Sequence, residues 1–236
     1  MTAQTILEFV CFGNSGRSKP TEAAAQDRIV ERGLTNLYQA ISSGVGVDAI
    51  RAGGFPIPIM QRFTDIAVER GDVYTDGELQ ELGRAIAEED QAGVEKIYNI
   101  AAVRFKMEEE ADRTEALEIF GVKTPITSGH RQTVFEGNVG LVLPMDLRGK
   151  GKVIEIYRQA GRDIYGEDGA VTVMWDPKSR SGHVSIATLP GYITGDPNAE
   201  APNMFGLGRR AYINGIGPLI EQAKESVDKF ADRQAA

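Results

Sequence analysis

The sequence predicts an α/β domain with a mainly parallel four-stranded central sheet and helices on both faces. Two observations carry the class. Short β-branched and aromatic segments alternate with longer segments of helical period, the pattern of strands and helices taking turns along a chain. The strongest strand signal, GNVGLVLPM at 137–145, is an unbroken apolar run of the kind that a parallel sheet buries on both sides.

TILEFVCF at 5–12 reads as the first strand, rich in β-branched and aromatic residues and stopped by Gly13. From Pro20 or Thr21 to about Arg32 the chain has proline near its start, an acid in the first turn and Gly33 as a stop, which reads as a helix. YQAISSG at 38–44 is the second strand, and 52–71 is a Gly/Pro loop opening a helix that ends at Gly71. Residues 75–120 carry apolar positions at spacings of three and four and read as helical, with the acid run MEEEAD (107–112) as a solvated face. A helix over 149–163 follows the apolar strand. AVTVMW (170–175) and HVSIATL (183–189) read as strands, with DPKSRSG between them as the turn of an extra hairpin. At the end, Ile216, Leu219, Ile220, Ala223, Val227 and Phe230 form one stripe of a terminal helix. No repeat, low-complexity tract or linker divides the 236 residues, so 1–236 is read as a single domain.

A net charge of −8 and the lack of a basic run argue against nucleic acid as a partner. No apolar run is long enough to cross a bilayer and MTAQTILEFV lacks the features of a signal peptide, so a soluble cytoplasmic protein is expected, with no membrane partner. The single cysteine cannot form an internal disulfide, and His130 and His183 are too isolated for a zinc site or for catalysis. No metal or cofactor is expected.

Chemistry concentrates in CFGNSGRS at 11–18. Cys11 is followed by five mostly small residues and then Arg17. Gly13, Asn14 and Gly16 tolerate positive φ, so the backbone N–H groups of Phe12, Gly13, Asn14, Ser15 and Gly16 can turn inward as an anion nest. The helix that follows aims its N-terminus at the same spot. A phosphate-sized dianion fits such a cradle. The same donors favour a thiolate at Cys11, which nucleophilic displacement requires. The planar fork of Arg17 can hold two phosphoryl oxygens, and Ser18 can donate its hydroxyl to the sulfur as it leaves. The alternative from residue types alone is a buried cysteine at a strand end, with Arg17 in a surface ion pair.

This stretch resembles the V-C-x-G-N-x-C-R-S signature of the low-molecular-weight protein tyrosine phosphatases, matching at Val10, Cys11, Gly13, Asn14, Arg17 and Ser18, with Glu22 and Ala23 also in register. Fainter likenesses follow in order: AISSG, the 53–71 helix, and NVGLVLPMD. The resemblance implies a cysteine-dependent phosphatase with a phosphate loop after the first strand and a two-step reaction. Cys11 attacks phosphorus while an Asp-Pro aspartate protonates the leaving oxygen, and water then hydrolyses the phospho-cysteine. Two Asp-Pro pairs exist; Asp196, between the last strand and the terminal helix, is favoured over Asp176 in the hairpin turn. The implied partner is a phosphorylated protein or small phosphorylated substrate.

Departures from the family are informative. Gly16 stands where the family has a second loop cysteine, proline is shifted to position 20 behind Lys19, and DPNA lacks the aromatics that follow the family's acid. Ser15 is small and polar where the tyrosine phosphatases carry an aliphatic residue and the related arginine phosphatases a threonine. Phosphotyrosine, phosphoarginine and a small phosphometabolite therefore all stay open. Residues 75–130 exceed the family's single domain and read as a helical insertion. A non-catalytic phosphate or phosphoprotein sensor and an arsenate reductase-like enzyme are the alternatives, the second weakened by the absence of further cysteines. The oligomeric state is unassigned.

Overall fold

The computed structural model describes residues 4–127, 129–134, 138–159, 163–167, 170–174 and 183–235. In chain order the elements are β1 (Thr5–Cys11), α1 (Ser18–Glu31), β2 (Tyr38–Gly44), α2 (Val47–Gly53), α3 (Ile57–Arg70), α4 (Asp76–Ala87), α5 (Gln91–Ile119), β3 (Val139–Pro144), α6 (Leu147–Gln159), β4 (Asp163–Glu167), β5 (Ala170–Met174), β6 (His183–Ile186), α7 (Leu189–Thr194) and α8 (Arg209–Ala235). One sheet of six strands has the order β2-β1-β3-β6-β5-β4. The first four strands run parallel. β5 and β4 extend that sheet antiparallel, so 170–174 and 183–186 pair as the hairpin expected from the sequence. The turn at 175–182, with Asp176, lies outside the described residues.

The unbroken apolar strands follow from burial on both faces. Leu7, Phe9 and Cys11 of β1 pack with α1 and α8, against Ala24, Ile29, Ile216 and Ile220. Ile6 and Val10 face the other way, onto Val153 and Tyr157 of α6. β3 changes face at the register shift where it pairs with Ile6 and Leu7, so Leu141 and Leu143 join the first cluster while Val139 and Val142 join the second. Each fully buried aliphatic side chain contributes about 1.5–3 kcal/mol by leaving water. The terminal stripe from Ile216 to Phe230 is buried as a whole.

A third cluster joins α3, α4 and α5, with Phe63 and Ala67 meeting Leu82, Ile97, Ala101 and Phe105. Thr75 and Glu78 form a reciprocal capping box at the start of α4, and Asp90 caps α5 through the Gly93 N–H. Short α2, β4 and α7 are additions to the elements expected from periodicity. α1 begins at Ser18, ahead of Pro20, which leaves the proline in the first turn, where its missing N–H breaks no intrahelical bond. No described helix is long and apolar enough to cross a membrane.

Ile220 is fully buried between α8 and the sheet. Ile220→Ala is expected to lower the unfolding free energy by about 2–5 kcal/mol, read as a lower urea midpoint at unchanged slope.

Candidate active site

The order β2-β1-β3 makes the carboxyl end of β1 a switch point: one connection leaves to each side, which opens a crevice there. Cys11 is the last residue of β1 and is 5% exposed. The loop above it is held by its carbonyls. Val45 N–H donates to Cys11 O (3.1 Å) and Gly46 N–H to Phe12 O (3.0 Å). His130 Nδ1 lies 2.8 Å from Asn14 O, and the Tyr212 hydroxyl donates to Gly16 O at 2.5 Å. Among the described residues the N–H groups of 12–16 donate to no backbone carbonyl, which leaves them for an anion. Burial holds the His130 imidazole below its ordinary pKa, so at neutral pH it stays uncharged as a structural strut of the loop.

Of the three residues singled out for positive φ, Asn14 alone adopts it (52°). Its Nδ2 donates to Ser42 O at 3.5 Å, and its Oδ1 faces the Ser18 hydroxyl at 3.1 Å. Ser18 Oγ also stands 3.0 Å from Cys11 Sγ. Having one proton, Ser18 can serve Asn14 while Cys11 is a thiol and turn to the sulfur of a thiolate. Gly44 closes the packing from beneath, since a Cβ there would lie 2.5 Å from Phe12 O and 2.6 Å from Asn14 N.

Arg17 precedes α1, whose N-terminus carries no side-chain cap. The guanidinium pairs with Asp146 at 3.0 Å and reaches Ala201 O at 3.5 Å. Asp146 is fixed in turn by the Gly149 N–H at 2.7 Å, so the end of β3 orients Arg17 across the mouth. Lys19 is buried in the first turn of α1 and donates from Nζ to Thr127 O.

Cys11, Phe12, Gly13, Ser15, Gly16 and Arg17 line one cavity of about 840 Å³; Asn14 and Ser18 are buried against the same loop. Phe55, Phe63 and Phe205 form its apolar wall, with the rings of Phe63 and Phe205 4.6 Å apart. The aromatic missing after Asp196 in sequence thus enters from Phe205, nine residues on. Asp196 is not among the lining residues. It is exposed, and its Oδ1 accepts the Asn198 N–H inside its own turn (2.9 Å). The carboxyls lining the cavity are Asp146, Glu200 and Glu109.

Glu109 overturns the expectation of a fully solvated acid run. Glu108 pairs with Arg70 at the surface, but Glu109 is 7% exposed and lies against the loop after β1. A Cβ at Gly16 would fall 1.9 Å from Glu109 Oε1. Gly16 therefore answers a close approach, and its φ is ordinary. Burial pushes the Glu109 carboxyl up to about 7, against the pull of the Ser15 hydroxyl, Arg113 and Arg17. Among the described residues none donates a hydrogen bond to its Oε2. The signal was present in the sequence: Ile97, Ala101, Phe105 and Glu109 recur every four residues along the buried side of α5.

No family model matches the chain, and no curated protein matches it. Solved structures do. The chain is similar to the low molecular weight phosphotyrosine phosphatase VcLMWPTP-2 of Vibrio cholerae O395, with 13% identity, a TM-score of 0.53, and 98% of this chain and 99% of that chain covered. It is also similar to a YwlE mutant from Bacillus subtilis, with 15% identity, a TM-score of 0.52, and 97% and 99% covered. At these identities the likeness shows a common fold.

Two consequences are measurable. The Glu109 carboxyl titrates near 7 when folded and near 4.5 when unfolded, so its contribution is fully present below 4.5 and lost as pH rises through 7. Between pH 4.5 and 8, wild type should lose about 3 kcal/mol relative to Glu109→Gln in denaturant unfolding. Gly16→Ala should lower the melting temperature in wild type and do so much less in a Glu109→Ala background, a non-additivity that a double-mutant cycle measures.

Proposed function

On a fold shared with low molecular weight phosphotyrosine phosphatases, we propose that this chain hydrolyses phosphomonoesters through a phospho-cysteine at Cys11. The observation that carries the reading is the position of its sole cysteine. The thiol sits at the C-terminal end of β1, under a loop whose N–H groups are unclaimed, 3.0 Å from the Ser18 hydroxyl and in one cavity with Arg17.

In this reading Cys11 is the nucleophile, and the N–H groups of Phe12, Gly13, Asn14, Ser15 and Gly16 bind the phosphoryl oxygens. Arg17 swings its fork between Asp146 and two of those oxygens, and Ser18 donates to the sulfur when the thiophosphate breaks. Neither a metal nor an organic cofactor has a part in these steps. The phenylalanine wall supports a substrate with an aromatic or apolar body, such as phosphotyrosine in a protein or a small aryl phosphate. Arg62, Arg148 and Lys152 at the same cavity favour further negative charge on it. Asp196 faces solvent in its own turn whereas Asp146, Glu200 and Glu109 line the cavity, which favours one of these three as the source of the leaving group's proton.

Purified protein should turn over 4-nitrophenyl phosphate, and Cys11→Ser should abolish that turnover. Arg17→Ala should reduce kcat/KM by at least about 100-fold, the scale for removing one transition-state donor. Asp196→Ala, which would cripple the reaction if the Asp-Pro turn supplied the proton, is expected to stay within a few-fold of wild type. Absence of wild-type turnover at every pH from about 5 to 8, with sulfate or tungstate still bound, would replace this reading with that of an anion sensor.

A further inference from the structure

Helix α5 holds a buried carboxyl against the phosphate loop with one oxygen unpartnered, an arrangement that structure alone makes costly. Glu109 lines the same cavity as Cys11 and Arg17, lies within reach of the Ser15 hydroxyl, and occupies the space left by Gly16. The other two carboxyls at the cavity are committed. Asp146 holds Arg17 and the Gly149 N–H, and the exposed Glu200 accepts the Leu147 N–H at 2.6 Å. The groups facing Glu109 are Arg17 and Ser15 from the loop, Glu110 and Arg113 from its own helix, and Tyr212 from α8.

Resting on the phosphatase reading, we propose that Glu109 is the general acid and base of this site, delivered to the Cys11 cradle by helix α5. In the first step the Cys11 Sγ–P bond forms and the P–O bond to the leaving group breaks; that oxygen takes the proton from the Glu109 carboxyl. In the second step the Glu109 carboxylate takes a proton from water as the new O–P bond forms and the S–P bond breaks. The thiolate and the protonated carboxyl are restored, and the ester and water have become an alcohol and inorganic phosphate. A carboxyl raised to about 7 keeps its proton in a substantial fraction of molecules at neutral pH, as the first step needs.

The test compares phenyl phosphate with 4-nitrophenyl phosphate, whose leaving group departs readily without a proton. Wild type should lose kcat/KM for phenyl phosphate as pH rises above about 7. Glu109→Gln should lower that value by about 100-fold or more while affecting 4-nitrophenyl phosphate far less, and should abolish the alkaline limb. Glu109→Asp should retain the limb. A wild-type profile flat above neutral pH, or a Glu109→Gln enzyme with unchanged limb and leaving-group sensitivity, overturns the proposal. Should Glu109→Gln fail to fold by circular dichroism, the wild-type profile and Glu109→Asp decide: the retained limb should have a shifted midpoint in Glu109→Asp, with a larger loss on phenyl phosphate than on 4-nitrophenyl phosphate, and a midpoint and leaving-group sensitivity both unchanged overturn it. Turnover that ignores Glu109 sinks this inference alone, whereas a wild type inactive on both esters sinks the phosphatase reading and this inference with it.

Discussion

The parallel ladder that locks β1 between β2 and β3 is the constraint on which the rest of the molecule depends. It runs in register to Cys11 opposite Gly44, then stops, and the chain leaves the sheet with its carbonyls already claimed by Val45 and Gly46. Because backbone groups must be satisfied somewhere, carbonyls tied to the scaffold leave the N–H groups of the loop for the other side. One alternation of side chains decides the rest: Leu7, Phe9 and Cys11 share a face packed with α1 and α8, so the thiol emerges beside the first turn of α1. Moving the register by one residue would turn Cys11 toward α6 instead.

Around that fixed point the polar groups are arranged so that each side chain restrains another. Asp146, between β3 and α6, accepts from Gly149 in the first turn of α6 and holds Arg17 over the cavity. Asn14, in the left-handed region, stands between Ser42 and Ser18. Tyr212 reaches from α8 to the carbonyl of Gly16, and burial drives its hydroxyl far above the ordinary range, so it remains a donor. Glu109 departs from this pattern. It is brought by α5, whose helix-on-helix core with α3 and α4 is separate from the sheet's own, and it enters the cradle with a free oxygen.

Much of this was legible from local pattern. The four parallel strands, the helices between them and the stripe on α8 follow from periods of two and 3.6 and from glycine stops, because burial on a face is a property of spacing. The loop after β1 was legible for another reason: small residues, a cysteine and an arginine must be contiguous for one turn to present them all. Short elements escaped. α2, β4 and α7 span five to seven residues, too few for a period to show, and exist because neighbouring strands and loops hold them.

The carboxyl buried against the loop escaped for a reason of distance. An Asp-Pro between the last strand and the last helix has the right place in the order of the chain, but order does not fix where a loop folds, and Asp196 closes its own turn in solvent. Glu109 looked like one of several acids on a wet helix. Its burial depends on the angle at which α5 crosses the loop, on the missing Cβ of Gly16, and on α8 behind it. By itself the sequence determined what local spacing encodes: the strands, the helices, and a cradle built from one continuous turn. The tertiary structure decided what lies opposite that cradle, because packing between elements far apart in the chain selects which carboxyl loses its water and which keeps it.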